Sequence, residues 1–162
     1  MSTNPKYLKG LTKNQAEQKK ENIKETKKLI EEGKKSEAFK LAEKRPIVKG
    51  GKESSYTQRF KKQFPDVKPL TADFTKSTGI PLKVQREVFK RGKGAYATSG
   101  SRATVKSPEQ WAYARLYAFY YKSIAGNLNF DKDLAENVKF KATSPKRKTK
   151  ATSPKRKTKG KK

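Results

Sequence analysis

Between Leu11 and Val138 the apolar residues fall mostly three or four positions apart, the period of helices, and residues that favour helix starts stand before several of the runs. Thr12 and Gln15 form a capping-box pair, Leu11 and Ala16 can close a hydrophobic staple, and Gly33 stands where a C-terminal cap belongs. A helix from Lys13 to Glu32 is predicted. Its apolar positions are only Ala16, Ile23, Leu29 and Ile30, so it is expected to be a solvated charged helix packed thinly on the rest or awaiting a partner. Ser36 is the expected cap of a second helix carrying Ala38, Phe39, Leu41 and Ala42, which Pro46 stops near Arg45. Val48 to Ser54, with its Gly-Gly pair, reads as a linker.

Tyr56, Phe60 and Phe64 recur every fourth residue behind a Ser55/Gln58 capping pattern, which gives a third helix one aromatic face before Pro65. Leu70 to Ser77 and Leu82 to Arg91 read as two helices around Thr78-Gly79-Ile80-Pro81, a helix-turn-helix outline. Gly92 and Gly94 are expected to end the second of these, leaving Gly92 to Arg102 as a basic Gly/Ser-rich loop. Ser107, Pro108 and Gln110 start the strongest run, closed by Gly126. It is aromatic or apolar nearly all round, from Trp111 through Tyr121 to Ile124, so it is expected at the buried centre with Trp111 in the core. A short helix capped by Asp131 is expected to close the fold near Val138.

The pattern changes abruptly there. Lys139 to Lys162 holds 12 Lys and Arg and no acid, and Ala-Thr-Ser-Pro-Lys-Arg-Lys-Thr-Lys at 142–150 recurs unchanged at 151–159. Its only apolar groups are Phe140, two Ala and the Pro rings, so a disordered polycationic tail is expected. The expected organisation is charged helices and linker over 1–53, a helical core domain over 54–138, and the tail over 139–162. The fold class is mainly α, a small helical domain containing a helix-turn-helix-like pair and a buried aromatic helix.

Charge then decides the class of partner. The 162 residues carry 42 Lys plus Arg against 15 Asp plus Glu, a net +27, and removing the tail's 12 leaves +15 on the remainder. A field of that size attracts nucleic acid or an anionic surface. The absence of Cys and His removes disulfides, thiolate and imidazole metal sites, cysteine nucleophiles and the usual general base. No carboxylate, Lys or Tyr pair suggests a catalytic cleft, so no enzyme, cofactor or metal is expected. The start has no apolar signal region and no run approaches a membrane span, which favours a soluble protein.

The candidate nucleic-acid-binding residues in the tail are Lys146, Arg147, Lys148 and Lys150 in the first repeat and Lys155, Arg156, Lys157 and Lys159 in the second. Such side chains neutralise phosphates and release counterions without a folded site. Pro-Lys-Arg-Lys also fits a nuclear localisation signal. The duplicated Ser-Pro-Lys-Arg resembles the Ser-Pro-basic-basic motifs of linker-histone tails, where a turn presents the basic residues to a DNA groove. Lys93 and Arg102, with the amides of the Gly-rich loop, are candidates for a phosphate of DNA or of a partner. That loop lacks the Walker spacing, so a nucleotide site there is not expected. Gln85 and Arg86 on the second helix of the outline make no clear base-reading row. The aromatic helix could stack single-stranded nucleic acid, but a chain with so few other large apolar residues is expected to keep these rings inside.

The stretches TGIPLKVQREVFKRGKGAYATSGSR (78–102) and PEQWAYARLYA (108–118) resemble a domain of unknown function in small basic proteins of large DNA viruses of algae and protists. Gly-Ala-Tyr, Ser-Gly-Ser-Arg and Trp-x-x-Ala-Arg-Leu carry the likeness, while Ala103 and the aromatic run depart from it. The resemblance implies a structural or genome-associated role in a virion, reached through the host nucleus or cytoplasm. The expectation is therefore non-enzymatic, sequence-independent binding of DNA, with RNA possible. A minor capsid or scaffold protein that binds other virion proteins and turns its tail to the genome is one alternative. A sequence-specific helix-turn-helix regulator is another.

Overall fold

In the computed structural model, residues 3–51 and 53–142 are described. Among them the fold is mainly helical, with seven α-helices, one 3-10 turn and no strand. The helices are α1 (Lys13–Glu31), α2 (Lys35–Glu43), α3 (Ser55–Gln63), α4 (Ala72–Thr78), α5 (Leu82–Ser99), α6 (Pro108–Ile124) and α7 (Lys132–Ala135). The centre is the α5–α6 pair; α3 packs on α6, while α1 and α2 pack on each other and on α5.

Local capping explains most of the starts. Thr12 and Gln15 exchange both bonds of a capping box at α1, Thr71 Oγ1 accepts from Phe74 N at α4, and Ser107 Oγ accepts from Gln110 N at α6. At α3 the cap is Ser54, one residue before the expected Ser55; its hydroxyl accepts from Thr57 N, and Gln58 donates its amide to Glu53 O instead. Helix α2 has Lys34 at its N-cap position, with no side-chain capping bond, so Ser36 lies inside the helix. Asp131 precedes α7 with φ 48° and no capping bond, because its carboxylate faces two arginines.

The largest departure from the sequence pattern is α5, which runs through Gly92 and Gly94 to Ser99. A glycine inside a helix costs about 1 kcal/mol relative to alanine. Gly92 has a tertiary reason to be there: a Cβ would meet Ala112 Cα of α6 at 2.8 Å, so its absence lets the two backbones approach. Nothing in the structure explains Gly94, which faces open space. The helix ends at Gly100, φ 78°, whose missing Cβ leaves room for Ile23. Thus the expected loop from Gly92 is mostly helix, and only residues 100–107 link α5 to α6.

Phe60 lies at the heart of the aromatic core. Its ring is 4.7 Å from that of Tyr117 and 5.0 Å from that of Phe74, within the range of favourable ring pairs. Leu116, Phe119, Tyr120, Ile80 and Val88 are buried with it. A smaller cluster of Ala42, Tyr96 and Ala97 takes Ile30, Phe39 and Trp111 against its edge, so Trp111 is half-buried rather than enclosed. Helix α1 buries Lys19, Ile23 and Thr26, a mixed face that seats it on the body.

The turn of the α4–α5 pair is covered by the chain that leaves α7. Gly79 caps α4 at φ 81°, and a Cβ there would collide with the Lys139 carbonyl. Lys141 N donates to Thr78 O at 2.9 Å, Tyr120 donates its hydroxyl to Lys141 O at 2.7 Å, and Phe140 packs on Phe119. Residues 139–141 therefore belong to the packed body. Truncation after Ala142 is expected to keep the melting transition, whereas truncation after Val138 should lower stability by about 2–4 kcal/mol, through a lost aromatic contact and an unsatisfied hydroxyl. Equal denaturation midpoints for the two truncations would refute this.

Candidate nucleic-acid interface

The scarcity of carboxylates determines how cations are held inside this fold. Arg45, 4% exposed, donates to Asn22 Oδ1 at 2.7 Å, to Ala97 O at 2.6 Å and to Tyr96 O. Lys19, 1% exposed, donates Nζ to Ser101 O at 2.7 Å. Arg45 thus sits on carbonyls of the last turn of α5, where the helix dipole favours positive charge, and Lys19 on the Ser101 carbonyl two residues beyond the helix. Burial still lowers both groups, Arg45 to about 10 and Lys19, with Arg45 nearby as a second cause, to about 8. Together these two side chains fix the departure of the 100–107 link.

On the other side of the pair, Asp131 gathers two arginines. Arg115 Nε donates to Asp131 Oδ2 at 2.9 Å and Arg91 Nη1 to Asp131 Oδ1 at 3.2 Å; Arg91 also forks onto Asp133 at 2.8 and 2.7 Å. These bonds hold Arg91 positively charged and lower the Asp133 carboxyl. The cluster ties α7 to α5 and α6 and absorbs two of the few acids.

The outward edge of α5 is different. Lys83, Arg86 and Lys90 are exposed, three and four positions apart and hence on one face, with no ion-pair partner among the described residues. Gln85, beside them in sequence, points the other way. It is fully buried and donates its amide to Thr75 Oγ1 at 2.8 Å and Ile80 O at 2.9 Å, so it braces the α4–α5 turn and is withdrawn from any base edge.

Of the ten candidate contact residues, Lys146, Arg147, Lys148, Lys150, Lys155, Arg156, Lys157 and Lys159 lie outside the described residues. Lys93 is on α5 rather than in a loop, paired with Glu109 at 3.0 Å and standing 5.6 Å from the centre of the Phe39 ring. Arg102 is exposed on the link between α5 and α6.

Arg102 also stands on the wall of a cleft of about 900 Å³. Trp111, Tyr113, Ala114 and Tyr117 of α6 form one wall. Ser54, Ser55, Tyr56 and Thr57 at the start of α3 form another, with Lys68, Pro69 and Thr71 beyond them. Thr104 and Val105 join Arg102 from the link. Glu53 is the one carboxylate on this lining and is paired with Lys61 at 2.6 Å. Burial, followed by the nearby Tyr113 and Glu53, pushes the Tyr117 hydroxyl up to about 12, so it stays a neutral donor. Sequence reasoning places these aromatics in the core. Tyr117 is indeed buried, but Trp111 and Tyr113 are only half-buried and turn part of their surface to the cleft. No local signal marks this, because the cleft exists only where α3, the link and α6 converge.

Residues 4–139 match the model described as a family of unknown function (DUF5824). No curated protein and no solved structure matches the chain.

Lys19 gives this framework a pH signature. An unfolded lysine stays charged up to its ordinary value of 10.5, whereas in the fold the proton leaves near 8. Between those values the unfolded chain binds more protons, so this group makes stability rise with pH and penalises folding most below pH 8. The stability of the wild type minus that of Lys19→Met is expected to increase by on the order of 2–3 kcal/mol from pH 7.5 to 10.5. A difference that stays flat in denaturant titrations across that range would contradict the buried ammonium.

Proposed function

We propose that this chain, which belongs to a family of unknown function (DUF5824), is a non-enzymatic, sequence-independent DNA-binding protein. The observation that carries this reading is the free row of Lys83, Arg86 and Lys90 on α5, on a chain of net +27. Inside the fold, cations are held by carbonyls or by a shared carboxylate, which leaves the outer ones available to phosphates. The tail adds eight Lys and Arg in its two Pro-Lys-Arg-Lys-Thr-Lys segments. Backbone phosphates need charge density and reach rather than a shaped site.

Gln85 favours this reading over a sequence-specific regulator. Of Gln85 and Arg86, the two residues that a base-reading second helix would offer, Gln85 is engaged in bracing the turn, and Arg86 stands in one row with Lys83 and Lys90, long cations suited to phosphates. The likeness to small basic proteins of large DNA viruses points the same reading towards genome association or packaging in a virion.

Binding of the full chain to duplex DNA is expected to weaken by about 10³ to 10⁵ between 50 and 200 mM salt if 6 to 10 phosphates are neutralised. Unrelated duplexes should differ by less than about tenfold, since phosphate contacts carry no base information. Truncation after Ala142 should flatten the salt slope without removing it, and Lys83→Gln, Arg86→Gln and Lys90→Gln together should take most of what is left. Selection from a random duplex library that converges on one motif, with the truncated chain still enriching it, would replace this function with that of a regulator.

A further inference from the structure

We infer that the cleft beside Arg102 holds one unpaired nucleotide, with its base against the aromatic walls and its phosphate at Lys68 and Arg102. This deepens the nucleic-acid reading above and rests on it. Four rings, Tyr56, Trp111, Tyr113 and Tyr117, line a space of about 900 Å³, at the upper end of the roughly 300–1,000 Å³ typical of small-ligand sites. Aromatic faces accept any base, since every base has a π-face. A base inside a duplex has both faces covered by its neighbours and cannot use them.

The polar groups fit the rest of a nucleotide. Arg102 and Lys68 are exposed and have no ion-pair partner among the described residues, while the one lining carboxylate, Glu53, is already paired with Lys61. The start of α3 lies in the same wall with no acid in its first turn, and the first amides of a helix have no intrahelical acceptor. Thr104 and the neutral Tyr117 hydroxyl supply groups for a sugar or a base edge. Such hydroxyl-bearing walls suit a lipid chain poorly, one carboxylate cannot hold a divalent cation, and a bare phosphate would leave the rings unused.

Trp111 is the sole tryptophan of the chain and forms part of the cleft wall, so its emission reports occupancy directly. The full chain is titrated with single-stranded oligothymidylate, a duplex of equal length, inorganic polyphosphate and thymidine monophosphate. Binding of the polyanions is read by sedimentation and occupancy by Trp111 fluorescence. The single strand should quench Trp111, whereas duplex and polyphosphate should bind without quenching. A plateau reached equally by the monophosphate would assign the site to free nucleotide, and quenching by the strand alone would assign it to a base within a strand. Lys68→Gln with Arg102→Gln, both at exposed positions, should lower the salt slope for the single strand by about 0.7, the share of the one phosphate they hold together, and leave the polyphosphate slope unchanged. If the strand and polyphosphate both bind and neither quenches, or if the double variant leaves the strand's slope unchanged, the cleft assignment fails while the polyanion reading survives. If none of the polyanions binds, both fail.

Discussion

At Gly92 the backbone of α5 lies directly against that of α6 at Ala112, with no Cβ between them. Close-packed interiors do not absorb an extra carbon at such a contact without moving the backbone. Because α5 continues past this point, the carbonyls of its last turn reach Arg45, and the Ser101 carbonyl just beyond its end reaches Lys19. Those two contacts fix how the chain turns into the link that carries Arg102, Thr104 and Val105. From the same crossing α6 extends with Trp111, Tyr113 and Tyr117 on the cleft side and Phe119 and Tyr120 in the core. Core and cleft thus depend on one helix–helix approach.

The second constraint is electrostatic. With 42 basic and 15 acidic residues, ordinary pairing is not available to most cations. Arg45 and Lys19 use main-chain carbonyls, and Arg91 and Arg115 share Asp131. Buried cations held by carbonyls still pay part of their desolvation, which is why Lys19 titrates low. The arrangement keeps interior charges from repelling the helices apart while the exterior stays strongly positive. On the proposed polyanion-binding reading that division is an advantage, because free surface cations are worth more to a phosphate than to a surface ion pair.

The helices and most of their ends were legible from local sequence. Thr12 with Gln15, and Ser107 with Pro108, act within a single turn, so neighbours in the chain suffice to specify them. The Tyr56–Phe60–Phe64 spacing likewise marked the face of α3 that meets α6, and the excess of charge was countable without any fold. The same local rules misplaced the end of α5. Gly92 looks like a helix stop because its cost is local, whereas the contact that offsets it lies at Ala112, twenty residues further on. Asp131 looks like a cap for the same reason, although its partners Arg91 and Arg115 belong to other helices. Trp111 sits in an apolar run that signals burial, yet which part of its ring is covered depends on how far α3 and the link close over it. What the sequence determined by itself is helix content, capping and net charge, all set by neighbours within a turn or by a sum over residues. What only the tertiary structure decided is where backbones touch, which cations are buried and where aromatic surface is left uncovered, because each of these is a relation between segments distant along the chain.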